Sequence, residues 1–178
     1  MAKRSYPLAK VYGLLEPGPV VWVATARRGR ANLMTMSWHT MMEFEPPLVG
    51  CVLSGRNYSF EALRATRECT LNIPTVELAK AVVGVGNCSG RTVDKFAKFG
   101  LTPVPASEVG APLVAECYAN LECRIADTRE VNRYNFFVLE VVKAWVDTSV
   151  KAPQTLHHRG NGVFFIAGET MRLRSAMK

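Results

Sequence analysis

Asn32, Met34, Met36 and Trp38 recur at every second position of the stretch NLMTMSW, and side chains two apart share one side of an extended strand. An amide, two thioethers and an indole make an unusual inward face for a plain core strand. They suit a flat, amphipathic ring, which needs apolar or polarizable walls and a few polar groups for its edge. Leu33, Thr35, Ser37 and His39 take the opposite face. Met41 and Met42 follow, so four of the seven methionines fall between positions 32 and 47. Core filling is the commoner use of methionine, but the company of Asn32 and Trp38 weighs against it here.

A second chemistry lies in residues 54–59, SGRNYS, ahead of the helical pattern FEALRATR. Ser54, Arg56, Asn57 and Ser59 arrive together at a helix N-terminus, where free N–H groups and the positive end of the dipole favour an anion. A solvated loop with an ordinary Asn57 or Ser59 cap is the equal alternative. Lys95, in the first turn of a later helix with Thr92 as its expected cap, opposes the dipole. Either Asp94 offsets it and the lysine faces water, or a phosphate accounts for it. GVGNCSG, residues 84–90, has its glycines at the first, third and seventh positions and no βαβ surroundings, so it reads as a loop between helices and not as a dinucleotide fingerprint. His39, His157 and His158 lack companions at metal-ligand spacing, and no nucleophile–base arrangement is visible.

The elements that must position these residues are mostly strands. PVVWVAT and residues 31–38 form a hairpin turning at Gly29. LVGCVL, CTLNI, ANLECRIA, FFVLEVVKAWV and GVFFIA supply further strands, with short helices over FEALRATR, VELAKAVVGVG and TVDKFAKFG. Gly100 stops the last of these. About seven strands and three short helices, with little room for helical crossovers, predict a mainly β fold, an antiparallel barrel.

The 178 residues, 48% of them hydrophobic, suffice for one domain with a sizeable core. No apolar run approaches the roughly 18 residues of a membrane span, and the start lacks a secretory signal, so a cytoplasmic protein is expected. Five cysteines without a Cys-x-x-Cys pair read as reduced and mostly buried thiols. The net charge of +7, densest at Arg27, Arg28 and Arg30, suits nucleic acid or a phosphorylated small molecule. Trp22, Trp38 and Trp145 lie in apolar runs and not among the basic residues, which argues against a nucleic-acid-binding barrel.

NLMTMSW, the PP pair and its following strand, SGRNYS, CTLNIP and VDKFAKFG, in that order across residues 8–167, resemble the flavin reductase-like, flavoredoxin-like group of FMN-binding split barrels. The resemblance implies a Greek-key split barrel, a homodimer with FMN near its interface, and electron transfer from NADH, NADPH or a redox protein. A flavin-binding protein without turnover is the alternative. The resemblance places Asn32 and Trp38 against the flavin, with Met34, Thr35, Ser37, Asn57 and Asn72 also at the cofactor. It places Ser54, Arg56 and Ser59 at the phosphate, Lys95 as a nearby cation, and Phe164 or Phe165 as a late aromatic over the ring. Tyr134 stands where such sequences often carry a histidine, with Arg133 beside it as a substitute charge. No residue is assigned a catalytic role, and neither membrane nor nucleic acid is an expected partner.

Overall fold

In the computed structural model, residues 3–11 and 18–174 are described. The chain opens with β1 (Lys3–Ser5) and the hairpin of β2 (Val21–Arg27) and β3 (Arg30–Met36). Arg28 and Gly29 both have positive φ, 52° and 73°, the two-residue turn whose twist matches a hairpin. The hairpin β4 (His39–Glu43) and β5 (Leu48–Val52) follows, then α1 (Tyr58–Thr66), β6 (Glu68–Ile73), α2 (Ala79–Gly86) and α3 (Lys95–Phe99). Beyond the short pair β7 (Pro103–Val104) and β8 (Leu113–Val114) come β9 (Ala119–Asp127), α4 (Val131–Tyr134) and β10 (Phe136–Asp147). The hairpin β11 (Leu156–Gly160) and β12 (Val163–Ile166) ends the described fold.

The main sheet runs β3-β2-β6-β9-β10-β5-β4, antiparallel throughout, with β1 added on β10. Its two end strands, β3 and β4, are consecutive in the chain, joined only by Ser37 and Trp38. The sheet therefore curls until its ends meet without a ladder between them, an antiparallel split barrel. His39 Nε2 lies 2.7 Å from Pro19 O, just ahead of β2, and so ties the seam by a single contact, while Val52 N donates to Trp38 O at 3.0 Å and extends the β4–β5 ladder by one residue. Bulges at Val138/Leu139 and Val141/Lys143 help β10 bend along three partners.

Two apolar layers sit on the two faces of this sheet. Val21, Val23, Leu71, Leu121, Phe137 and Leu139 fill the barrel, while Val20, Trp22, Ala24 and Leu33 face outward beneath Val82, Val85 and Phe96 of α2 and α3. Strand β2 is covered on both sides, which is why it reads as a continuous apolar run.

The sequence-predicted strands are present, but β1, β4, β7, β8 and β11 were not expected. The predicted Thr92 cap is replaced by Asp94, whose side chain accepts from Ala97 N at 3.1 Å. Trp38, expected on the same face as Asn32, lies beyond the end of β3 and is 71% exposed.

Candidate functional site

Strand β3 is an edge strand, and its open side borders a cleft of about 310 Å³. Both faces of the strand reach it, so Asn32, Met34 and Thr35 all line the same space although alternation separates Thr35 from the other two. One wall is the start of α1 with Arg56, Asn57, Tyr58 and Ser59. The other is the end of α2 and the following loop, Val85 through Gly90, closed by Lys95.

Asn32 is 5% exposed; its Nδ2 donates to Ser59 Oγ at 2.8 Å, while its Oδ1 finds no donor. A buried carbonyl oxygen left bare costs about 1–3 kcal/mol, so this cleft carries a polar group that the fold alone does not satisfy. Gly90 packs directly against it: a Cβ there would come within 1.9 Å of Asn32 Oδ1 and 2.8 Å of the Tyr58 ring. Gly84, at the other end of the run, admits the Phe99 ring of α3, which a Cβ would meet at 2.3 Å. The glycines of GVGNCSG thus serve close packing at two points, and Gly84, Val85 and Gly86 belong to α2 instead of a loop.

Asn57 is the N-cap of α1, yet its side chain makes no capping bond. The chain reaches it through a turn in which Ser54 O accepts from Asn57 N at 2.9 Å and Ser54 Oγ from Arg56 N at 3.3 Å. The uncapped helix start and the exposed Arg56 leave positive potential at the cleft.

Lys95 is 5% exposed and neither faces water nor merely opposes its own helix. Its Nζ donates to Val85 O at 2.8 Å, at the carbonyl end of α2, where a cation complements the dipole. Burial pushes its ammonium pKa down, with a smaller upward pull from Cys88. An ammonium has three donors, and one is spent on Val85. None of the described residues lining the cleft is acidic. Outside it, the guanidiniums of Arg30 and Arg91 lie 5.7 and 5.4 Å from the Tyr58 ring centre, and Glu61 pairs Arg91 at 3.5 Å.

Of the sequence-predicted residues, the structure brings Asn32, Met34, Thr35, Arg56, Asn57, Ser59 and Lys95 into one cleft. Thr35 Oγ1 is engaged with Val82 O at 2.8 Å. Ser37, Trp38 and Ser54 lie off its lining, near the ends of β3 and β5. Asn72 sits in the core, with Nδ2 on Thr70 Oγ1 (2.9 Å) and Oδ1 taken by Val114 N (3.0 Å) and Asn120 Nδ2 (2.6 Å). Tyr134 is 55% exposed at the end of α4 with the Arg133 guanidinium 5.0 Å from its ring. Phe164 packs on the outer apolar layer, tilted against His158. Sequence reasoning missed Tyr58, Val85, Gly86, Asn87, Cys88, Ser89 and Gly90. The signal was a run of small residues a few positions before Lys95.

A second cavity of about 350 Å³, walled by Val104, Pro105, Leu113 and Trp145, offers no comparable polar demand. Lys3 at its edge spends its donors on Val114 O, Cys117 O and Asn120 Oδ1.

A profile of the flavin reductase-like domain matches residues 14–164. The chain belongs to the flavin reductase-like family. Among relatives, the Escherichia coli K12 protein YddH, of uncharacterised function, is 33% identical over 170 residues, spanning 88% of this chain and 90% of that one. An uncharacterised Archaeoglobus fulgidus protein is 34% identical over 113 residues, 64% of either chain. In three dimensions the chain is similar to the FMN-binding domain of a flavin reductase-like enzyme from Shewanella baltica, with a TM-score of 0.91 at 28% identity over 97% of this chain and 98% of that one. Flavoredoxin of Desulfovibrio vulgaris gives 0.82 at 25% identity, over 89% and 91%. These flavin reductase-like structures agree with the resemblance carried by the motifs and with the split barrel. No described helix is long and apolar enough to cross a membrane.

Proposed function

We propose that this chain binds FMN in the cleft along β3 and acts as a flavin-dependent oxidoreductase, with NADH, NADPH or a redox protein as electron donor. The observation that carries the reading is the partnerless Oδ1 of buried Asn32, set in a cleft whose charged members, Arg56 and Lys95, are both cations. A polyhydroxylated chain ending in a phosphate answers both demands. Its hydroxyls would donate to Asn32, and Arg56, the uncapped start of α1 and the remaining Lys95 donors would hold its dianion. The cleft volume, about 310 Å³, is at the small end for a ligand site, which favours holding that tail and leaving the ring at the strand edge beside Met34.

When bound, the flavin supplies the electron transfer. The chain's own residues bind and orient it: Ser59 fixes the Asn32 amide, Gly90 allows the amide its position, and Lys95 holds positive charge against the phosphate end. No side chain is required as a proton donor or nucleophile. The names of the Shewanella and Desulfovibrio proteins, an FMN-binding domain and a flavoredoxin, support this choice of ligand.

Titrating FMN with the cofactor-free protein should quench flavin fluorescence to a one-to-one endpoint. Adding NADH or NADPH without oxygen should then bleach the bound flavin. Unquenched fluorescence at protein concentrations far above micromolar would sink the binding claim; binding without bleaching by nicotinamide or a reduced protein donor would reduce the activity to flavin storage or sensing.

A further inference from the structure

Cys88 stands in the wall of the cleft and is half-buried, whereas Cys51, Cys69, Cys117 and Cys123 are fully buried. Its Sγ lies 3.3 Å from Gly84 O and 4.0 Å from Val85 O. The same Val85 oxygen takes the Lys95 ammonium at 2.8 Å, so thiol and cation share the carbonyl end of α2. Among the five cysteines, only this sulfur stands partly exposed on a cleft wall, where a small disulfide or alkylating reagent can reach it. That the space in front of it is made for a ligand follows independently from Asn32, 95% buried with a bare Oδ1 on the same cleft.

We propose that Cys88 is a modification site, forming a mixed disulfide with small disulfides while the cleft is empty, and that this modification excludes the cofactor. The inference rests on the flavin reading of the cleft. In the reaction the Cys88 sulfur, as thiolate, attacks one sulfur of a low-molecular-weight disulfide. A new S–S bond joins Cys88 to that half as the old S–S bond breaks. The electron pair leaves with the other half as a thiolate, which takes up the proton Cys88 gave up. A reducing thiol reverses each step. The two states exclude one another physically. A bound FMN tail covers the sulfur and draws Lys95 toward its phosphate, while a glutathionyl group on Cys88 fills the cleft and sets its own carboxylates against Lys95 and Arg56. Cofactor loading thereby becomes conditional on a reduced thiol pool.

The test uses the full chain stripped of cofactor, with iodoacetamide and glutathione disulfide as probes and peptide mass mapping as the readout. Under native conditions label should enter Cys88 before any other cysteine, and FMN at about 100 times its Kd should slow that labelling about a hundredfold. Protein carrying glutathione on Cys88 should bind FMN at least about tenfold more weakly, and dithiothreitol should restore binding. The Cys88→Ser chain should bind FMN with the same affinity before and after exposure to glutathione disulfide. If Cys88 fails to label, if labelling ignores FMN, or if the mixed disulfide leaves FMN affinity unchanged, the inference is overturned while the flavin reading stands. If the unmodified, reduced protein does not quench FMN at all, the flavin reading falls and takes this one with it.

Discussion

At the scale of single residues, the cleft depends on two groups that the fold does not need for itself. Asn32 holds its amide against Gly90 so closely that a methyl group at position 90 would overlap Oδ1 at 1.9 Å. Gly90→Ala should therefore swing the amide off Ser59 and cost FMN binding about 1–3 kcal/mol, roughly five- to 150-fold in Kd by fluorescence titration. An unchanged Kd would show that Asn32 does not face the ligand. Lys95 is the complementary case. Because burial lowers its ammonium pKa, the folded state disfavours the charged form. That cost is fully present at neutral pH and is relieved only as pH rises toward the ordinary lysine range. Lys95→Met removes the buried charge, so the melting temperature of the cofactor-free protein should not fall, while FMN affinity should drop and lose part of its salt dependence. A melting temperature several degrees lower with unaltered affinity would make Lys95 a structural residue, held for Val85 alone.

At the scale of elements, β9 carries a buried carboxylate that organises the segment before β8. Glu122 is fully buried and accepts from Ser107 N (3.0 Å), Ser107 Oγ (3.1 Å), Glu108 N (2.5 Å) and the Trp145 indole on β10 (2.7 Å). Burial pushes its pKa up, but these four donors outweigh burial and hold the carboxyl below its ordinary value. The resulting stability is present in full above about pH 4.3, the unfolded-chain value, and is lost as pH falls through the folded one. Glu122→Gln should cost about 2–3 kcal/mol at pH 7 in urea unfolding, and the gap to the parent should narrow below about pH 4. A gap independent of pH would mean that shape and not charge anchors the segment. Elements like β2, β6, β9 and β10 were legible in the sequence because their apolar pattern is continuous or alternating over five residues or more. Strand β4 was not, since HTMME is polar enough to read as a break and is a strand only because β5 offers it a ladder. The gathering of Arg56, Asn57 and Ser59 on one cleft wall was legible for a local reason, as the three are near neighbours in the chain. Asn72, which the resemblance places at the cofactor, lies instead in the core, and its partners, Val114 and Asn120, are more than forty residues away, beyond any local pattern.

At the scale of the whole molecule, large apolar side chains stay exposed at the seam of the split barrel and on β12. Trp38 is 71% exposed at the β3–β4 junction, and Val163 and Phe165 of β12 are 53% and 52% exposed. The two groups are linked through the strand ends: His39, next to Trp38, lies with Nε2 2.7 Å from Pro19 O, the adjoining Val20 N donates to Leu156 O at 2.7 Å, and Phe165 stacks at 4.9 Å on His157, the next residue. On the proposed flavin reading, a second copy of the chain laid over the seam would cover this indole and phenyl beside the strand edge. That arrangement would also shield a ring which the cleft is too small to enclose. Sedimentation velocity should then give twice the 19.7 kDa chain mass at micromolar concentration. The double substitution Val163→Lys and Phe165→Glu should shift the protein to a single chain mass and weaken FMN binding together with dimerisation, while leaving the circular dichroism of the barrel in place. Were the parent protein monomeric at these concentrations, the exposed Trp38 would need another partner; were the double variant monomeric with full FMN affinity, the cofactor would be held by one chain alone.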